Sequence, residues 1–224
     1  MSALIKMRVL AYVRTGRFIL PLLATLVVLG ILFGGGRSSA AAAYGTSALL
    51  LFPVLAWQTK LLLDTEPDVQ RRLALTALGS RRREVTAGLC AAALTALPLI
   101  LIALVLPWLF DAVNGAGVGS GILLGVWAHL LVALPALAVG AWSSRVISGS
   151  AGRATAVLTG GIVLAYVVGL RGSPVPWLAP PLVSTARVMD ANPNATVVTG
   201  LTIWGLVWVA VAVAGYGWLR RTRA

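Results

Sequence analysis

Six runs of apolar residues, each almost free of charge, recur along this chain at 18–34, 46–63, 86–109, 121–147, 154–170 and 197–219. Each approaches or exceeds the roughly 17 to 25 residues that an α-helix needs to cross the hydrocarbon core of a bilayer. Membrane strands would need only about 10 residues and would alternate apolar with polar side chains, which these runs do not do. Helices satisfy their own backbone hydrogen bonds in lipid. Composition agrees, since 59% of the 224 residues are hydrophobic and 11% charged, against roughly one quarter charged in a soluble domain. The expected fold is an all-α membrane protein with six transmembrane helices in a single domain.

The formal charge of +12 would suggest nucleic acid in a soluble protein, but its distribution excludes that reading. Lys6, Arg8, Arg14 and Arg17 precede the first run. Lys60, Arg71, Arg72, Arg81, Arg82 and Arg83 surround the second connection, Arg145 and Arg153 the fourth, and Arg220, Arg221 and Arg223 end the chain. The alternate connections hold Arg37, Arg171 and Arg187, so fifteen basic residues fall on one side and three on the other. The positive-inside rule then puts both termini in the cytoplasm, which an even number of spans requires. Trp108 and Trp204 are expected near outer span ends, and Trp57, Trp142 and Trp218 near inner ones. The first apolar run exceeds the ~7 to 15 residues of a signal-peptide core, so it is read as a retained span. The single cysteine, Cys90, is read as a packing residue.

Residues 4–17 combine basic and apolar side chains. Lys6, Arg14 and Arg17 share one sector at helical spacing, while Leu4, Ile5, Tyr12 and Phe18 lie elsewhere. This pattern predicts an interfacial helix on anionic lipid, ending where Pro21 turns the chain inward. Arg8 breaks the pattern.

The most informative polar stretch runs from Asp64 to Glu84. It predicts a short cytoplasmic helix over about 66–78, with Thr65 and Asp68 as a capping box, Pro67 in the first turn and Gly79 as the stop. Val69, Leu73 and Ala77 form one apolar stripe on this otherwise polar helix, so the stripe is expected to face something other than water. The third connection, with glycines at 115, 117, 119 and 121, reads as an external turn. GxxxG spacings at Gly30 and Gly34, and at Gly121 and Gly125, permit close helix contact. Residues 171–194 carry five of the eleven prolines. Their apolar centre predicts an external segment over about 175–190 that dips back into the membrane and breaks at Pro180 and Pro181, unless it is a plain loop.

No carboxylate lies inside a proposed span, which disfavours ion-coupled transport. The only histidine, His129, excludes an HExxH-type metal cluster. Paired with Ser184 or Ser148 it would lack any nucleophile motif, so it is read as a polar packing or pore-lining residue. No catalytic or metal-ligating constellation and no nucleotide site is expected.

The order of elements resembles the membrane subunit of ABC-2 type ABC exporters over nearly the whole chain. The order is a basic interfacial helix, two spans, an acidic-then-basic helix, three spans, a broken external segment and a final span. The most specific part is EPDVQRRLALTALGSRRREVTAG at 66–88, similar to that family's link between the second and third spans. The resemblance implies that the leader is an elbow helix, with Lys6, Arg14 and Arg17 on lipid. It also implies that 66–78 is a coupling helix whose Glu66, Asp68, Arg71, Arg72 and Leu75 lie at or near an ATPase. Trp177, Pro180 and Pro181 would then belong to an external gate.

On that resemblance the chain is a permease in the bacterial cytoplasmic membrane. It would export a drug, an antibiotic or peptide, or a lipid-like substrate. Two separate ATPase subunits would bind ATP and Mg, and a second copy or a related permease would complete the complex, with membrane lipids but no nucleic acid as further partners. The very short external loops depart from members with large extracellular domains. The alternative from another class is a membrane scaffold or immunity-type subunit that binds a partner without transport.

Overall fold

In the computed structural model the described residues are 1–114, 118–191 and 193–222. Gly115, Gly117 and Arg223 lie outside them, as does the side chain of Asp68. The chain is α-helical, and a two-residue parallel strand pair, β1 (Ser38–Ser39) with β2 (Val113–Asn114), is its only extended pairing among the described residues. Among the described residues five helices are long and apolar enough to cross a membrane: α3 (Ala40–Leu63), α5 (Arg81–Leu109), α6 (Val118–Trp142), α8 (Ala151–Val168) and α10 (Ala195–Thr222). The four-residue α7 (Arg145–Ser148) continues α6 after a break at Ser143 and Ser144.

The first apolar run forms α2 (Ile19–Phe33), which has 15 residues and is thus about 22 Å long. It is bent by 71° from α1 (Ser2–Arg14). The turn is made not by Pro21, which sits inside the first turn of α2, but by Gly16 at φ +67°, a conformation that costs glycine little. One end of α2 meets the second connection, where Arg17 donates to the Asp64 carbonyl at 2.9 Å. Beyond the other end, Arg37 pairs with Asp111 and Ser38 N–H donates to the Ala112 carbonyl at 2.9 Å. The helix therefore runs from one end of the bundle to the other.

α3 is the axis of the fold. Of its most apolar stretch 67% is buried, against 17% for α8 and 11% for α10. It is capped by Ser39, whose Oγ accepts from Ala42 N–H at 3.2 Å, so the helix starts six residues before the apolar run itself. α6 lies against α3 through small residues. A Cβ added at Gly125 would meet Tyr44 Cδ2 at 2.5 Å, one at Gly121 would meet Ala40 Cβ at 2.6 Å, and one at Gly140 would strike the Ala56 carbonyl. This is the close backbone approach that small residues permit between membrane helices. Of the two GxxxG pairs, only Gly121 and Gly125 act this way, because Gly30 faces open space and Gly34 meets only its own helix.

His129 belongs to the same seam. Its ring nitrogens lie 3.2 Å from Ser47 Oγ and 2.8 Å from the Gly125 carbonyl, and Tyr44 packs edge-on against it. Its serine neighbour is thus Ser47, while Ser148 Oγ donates to the Ser144 carbonyl.

Replacing Gly125 by leucine drives a side chain into Tyr44. It is expected to cost about 1–3 kcal/mol or more through overpacking, read as a lowered Tm of the detergent-purified protein. Gly30→Ala, with nothing within 4 Å of the added carbon and a helix interior that favours alanine over glycine, does not lower Tm.

Candidate functional site

The basic end of the bundle is built around a buried carboxylate, Glu84. Ser80 is the N-cap of α5, so the segment Arg81–Glu84 is the helix's first turn rather than a loop, and Glu84 points into the protein with 2% of it exposed. A carboxylate suits the positive end of a helix dipole, but at this burial it also requires cations and hydrogen bonds. Two arginines supply them. Arg8 Nη2 lies 2.5 Å from Glu84 Oε1 and Arg8 Nη1 donates to the Glu84 carbonyl at 3.0 Å. Arg220 Nη2 lies 2.7 Å from Glu84 Oε2, its Nη1 donates to the Tyr216 hydroxyl at 3.0 Å, and its guanidinium lies over the Tyr216 ring.

Arg8 also reaches Glu66, with Nε and Nη2 at 2.9 Å and 2.5 Å from Oε2. The remaining oxygen, Glu66 Oε1, is buried without a hydrogen-bond partner. Arg8 lies across Gly88, where a Cβ would meet Nη1 at 2.9 Å. The residue that broke the amphipathic pattern of the leader is thus its most buried cation, and it ties α1 to the turn after α3, to α5 and, through Glu84, to α10.

A second knot sits beside the first. Asp64 accepts from Lys60 Nζ at 2.8 Å and from the Arg145 backbone N–H at 2.8 Å, while its carbonyl accepts from Arg17 and Arg145. Arg17 is therefore engaged by protein, whereas Lys6 and Arg14 are exposed. Between the knots a polar cavity of about 460 Å³ is lined by Asp64, Glu66, Arg71 and Arg145 among others.

From this anchored base projects α4 (Asp68–Leu78). Its N-cap is Pro67, not Thr65, whose hydroxyl instead donates to the Leu61 carbonyl at 2.7 Å. The Asp68 half of the expected capping box lies outside the described side chains. The stop is Gly79 at φ +62°, as expected from its lack of a Cβ. Leu75 and Arg71 are half-buried on the side facing the bundle, and Arg72 is exposed. Val69 and Leu73 are 71% and 64% exposed, so the apolar stripe faces away from the rest of the chain. Of the five residues expected at a partner contact, four have described side chains: Arg72 lies on the outer face, Arg71 and Leu75 on the inner, and Glu66 at the root with its carboxylate largely covered.

The opposite end carries the proline-rich segment. A 3₁₀ turn, Pro176–Leu178, and α9 (Leu182–Asp190) enclose buried Pro180 and Pro181. This segment folds down the bundle: the Leu178 carbonyl accepts from Trp208 Nε1 at 2.8 Å, and Pro181 lies against Gly205. Trp208 is thirteen residues into α10, about 20 Å from its start. Trp177 remains exposed. Among the described residues no group of three or more His, Cys, Asp or Glu side chains is placed to hold a metal.

Sequence reasoning missed Glu84, Arg220, Tyr216 and Gly88. The available signal was a lone acid amid the basic run 81–83, at the start of an apolar helix, where an unpaired charge is costly. No family model, curated protein or solved structure matches this chain.

Glu84→Ala leaves two buried arginines without their shared carboxylate and is expected to lower stability by about 3–5 kcal/mol. Arg82→Ala, on the exposed side of the same turn, changes it by less than about 0.5 kcal/mol. Thermal unfolding of the purified protein followed by circular dichroism separates the two.

Proposed function

We propose that this chain is the membrane-spanning permease subunit of an ATP-driven ABC-2 type exporter in a bacterial cytoplasmic membrane. In this reading α1 is the elbow helix, α2 is the first of six spans, both termini are cytoplasmic and α4 is the coupling helix. The observation that carries the reading is the outward apolar stripe of α4. Val69 and Leu73 sit at the end of the bundle richest in arginine, on a polar helix, facing neither lipid-spanning segments nor their own chain. Exposed apolar side chains beside Arg72 fit a protein surface better than water.

The root of α4 supports a coupling role. Glu66 lies two residues before the helix and is held by Arg8, which is held in turn by Glu84 of α5 and through it by Arg220 of α10. A push on α4 is therefore delivered to ends of spans rather than absorbed in a loop, the property a lever needs. Energy would come from two partner ATPase subunits that bind ATP and Mg. A second copy or a related permease would complete the translocation path, and the segment over 175–190 would close its outer end. The substrate class is a drug, an antibiotic or peptide, or a lipid-like molecule moved outward.

Two measurements test this. With the cognate ATPase co-expressed, Val69→Asp together with Leu73→Asp is expected to weaken co-purification on the order of tenfold, the loss of one interface hot spot, and to abolish stimulated ATP hydrolysis. Binding without any effect on hydrolysis would favour a scaffold instead. For topology, single cysteines are placed in a Cys90→Ala background. Those at Ser38 and Pro174 should react with an impermeant maleimide on intact cells, and those at Ser2, Thr76 and Gly152 only after permeabilisation. Labelling of Ser2→Cys from outside would mean that α2 does not cross.

A further inference from the structure

A large apolar cleft lies away from both charged knots. It has a volume of about 700 Å³ and is enclosed by α6 (Val139, Trp142), α8 (157–168), α10 (204–212) and the turn at Trp177 and Leu178. Its lining contains no charged side chain, no hydroxyl and no amide. Two of its four indoles have already given their N–H to backbone carbonyls, Trp142 to Ala212 and Trp208 to Leu178, each at 2.8 Å. The occupant it suits is therefore hydrocarbon. Along α8 the lining extends from Val157 to Val168, eleven helical steps or about 16 Å, roughly half of a bilayer's ~30 Å core.

The outer rim supplies the complementary charge. α8 ends at Val168, which lines the cleft, and the chain returns to it at Trp177. Exposed Arg171 lies in the turn between them. Its side chain has no ion pair or hydrogen bond among the described residues. Tyr166, five residues earlier, donates to the Leu49 carbonyl, nine residues below the start of α3. At about 1.5 Å per residue, Arg171 stands only several ångströms below the outer end of the bundle, where headgroups meet acyl chains.

We propose that this cleft binds one membrane phospholipid, with an acyl chain between α8 and α10 and the phosphate on Arg171. An arginine offers paired N–H donors to phosphate, and the cleft shields the chain beneath it. A second copy of this chain is a poorer occupant: its interface would have to fill a concave, hydrogen-bond-free slot while leaving Arg171 without an acidic partner. The proposal needs only residence in a bilayer and stands whether or not an ATPase docks on α4.

The test uses the full chain reconstituted in phosphatidylcholine vesicles. These carry phosphatidylglycerol with a photoreactive diazirine midway along one acyl chain or, in a parallel set, a diacylglycerol with the same chain. Adducts of the phospholipid are expected on 157–168 and 204–212 in excess of those on the comparably exposed face of α5 around Leu94, Leu97 and Leu101. Gly161→Leu and, independently, Val168→Trp fill the cleft. Each should lower adducts there on the order of tenfold while leaving those on α5 unchanged.

Arg171→Gln should reduce phospholipid capture to the level of the diacylglycerol, on the order of tenfold for a charged hydrogen bond, and leave diacylglycerol capture unaltered. Adducts spread evenly over α5, α8 and α10 would overturn the proposal, and so would equal capture of both lipids by the native chain. Efficient disulfide formation between Val207→Cys copies without lipid adducts would assign the cleft to a second copy instead.

Discussion

Glu84 is shared by two arginines that come from opposite ends of the chain, and the basic end of the protein is organised around that sharing. Arg8 approaches from the leader and Arg220 from the last helix, and both lie largely out of water. Buried ion pairs gain little net stability because desolvation offsets attraction, yet removing one partner strands the others. The cluster is therefore best understood as a constraint on geometry. It fixes where α1 and α10 stand relative to the start of α5, and through Glu66 it fixes the turn from which α4 projects. Gly88 leaves room for the Arg8 guanidinium, and the Tyr216 hydroxyl and ring occupy the other side of Arg220.

The rest of the bundle divides by how closely its helices approach. α3 and α6 meet through Gly121, Gly125 and Gly140, and this close seam encloses the polar groups of Ser47 and His129 with their hydrogen bonds made. In lipid, where apolar helices gain little from contacting each other rather than acyl chains, such close packing and satisfied polar groups are what hold spans together. Although α10 approaches α6 closely where Gly205 lies against Leu131 and Gly215 against Trp142, α8 and α10 make no such seam with each other. They are separated by the inward-folded segment around Leu178 and Pro181, which leaves the apolar cleft beside them. One half of the molecule is a compact axis and the other presents surfaces to its surroundings.

Much of this was legible from residue types. The apolar runs located the long helices to within a few residues at most ends, Gly79 stopped α4 as its missing Cβ required, and the Val69–Leu73 stripe lies on an exposed face. Errors came where local patterns compete with tertiary contacts. Thr65 has the chemistry of a cap but turns back to the Leu61 carbonyl, leaving the N-cap position to Pro67. Pro21 has the chemistry of a breaker but rests in a first helical turn, where its missing N–H costs nothing, and Gly16 makes the bend. Arg17, expected on lipid, donates to the Asp64 carbonyl.

The sequence by itself determined that this is a helical membrane protein with its positive charge gathered at one end, because hydrophobic length and charge asymmetry are sums along the chain that no packing can reverse. It also determined an amphipathic helix at that end. Only the tertiary structure decided which arginines are buried and which glycines are contacts. Arg8 and Arg14, or Gly125 and Gly30, are alike in type and local setting and differ only in what lies across from them. That difference is set by helices distant in sequence, Glu84 standing 76 residues from Arg8 and 136 from Arg220.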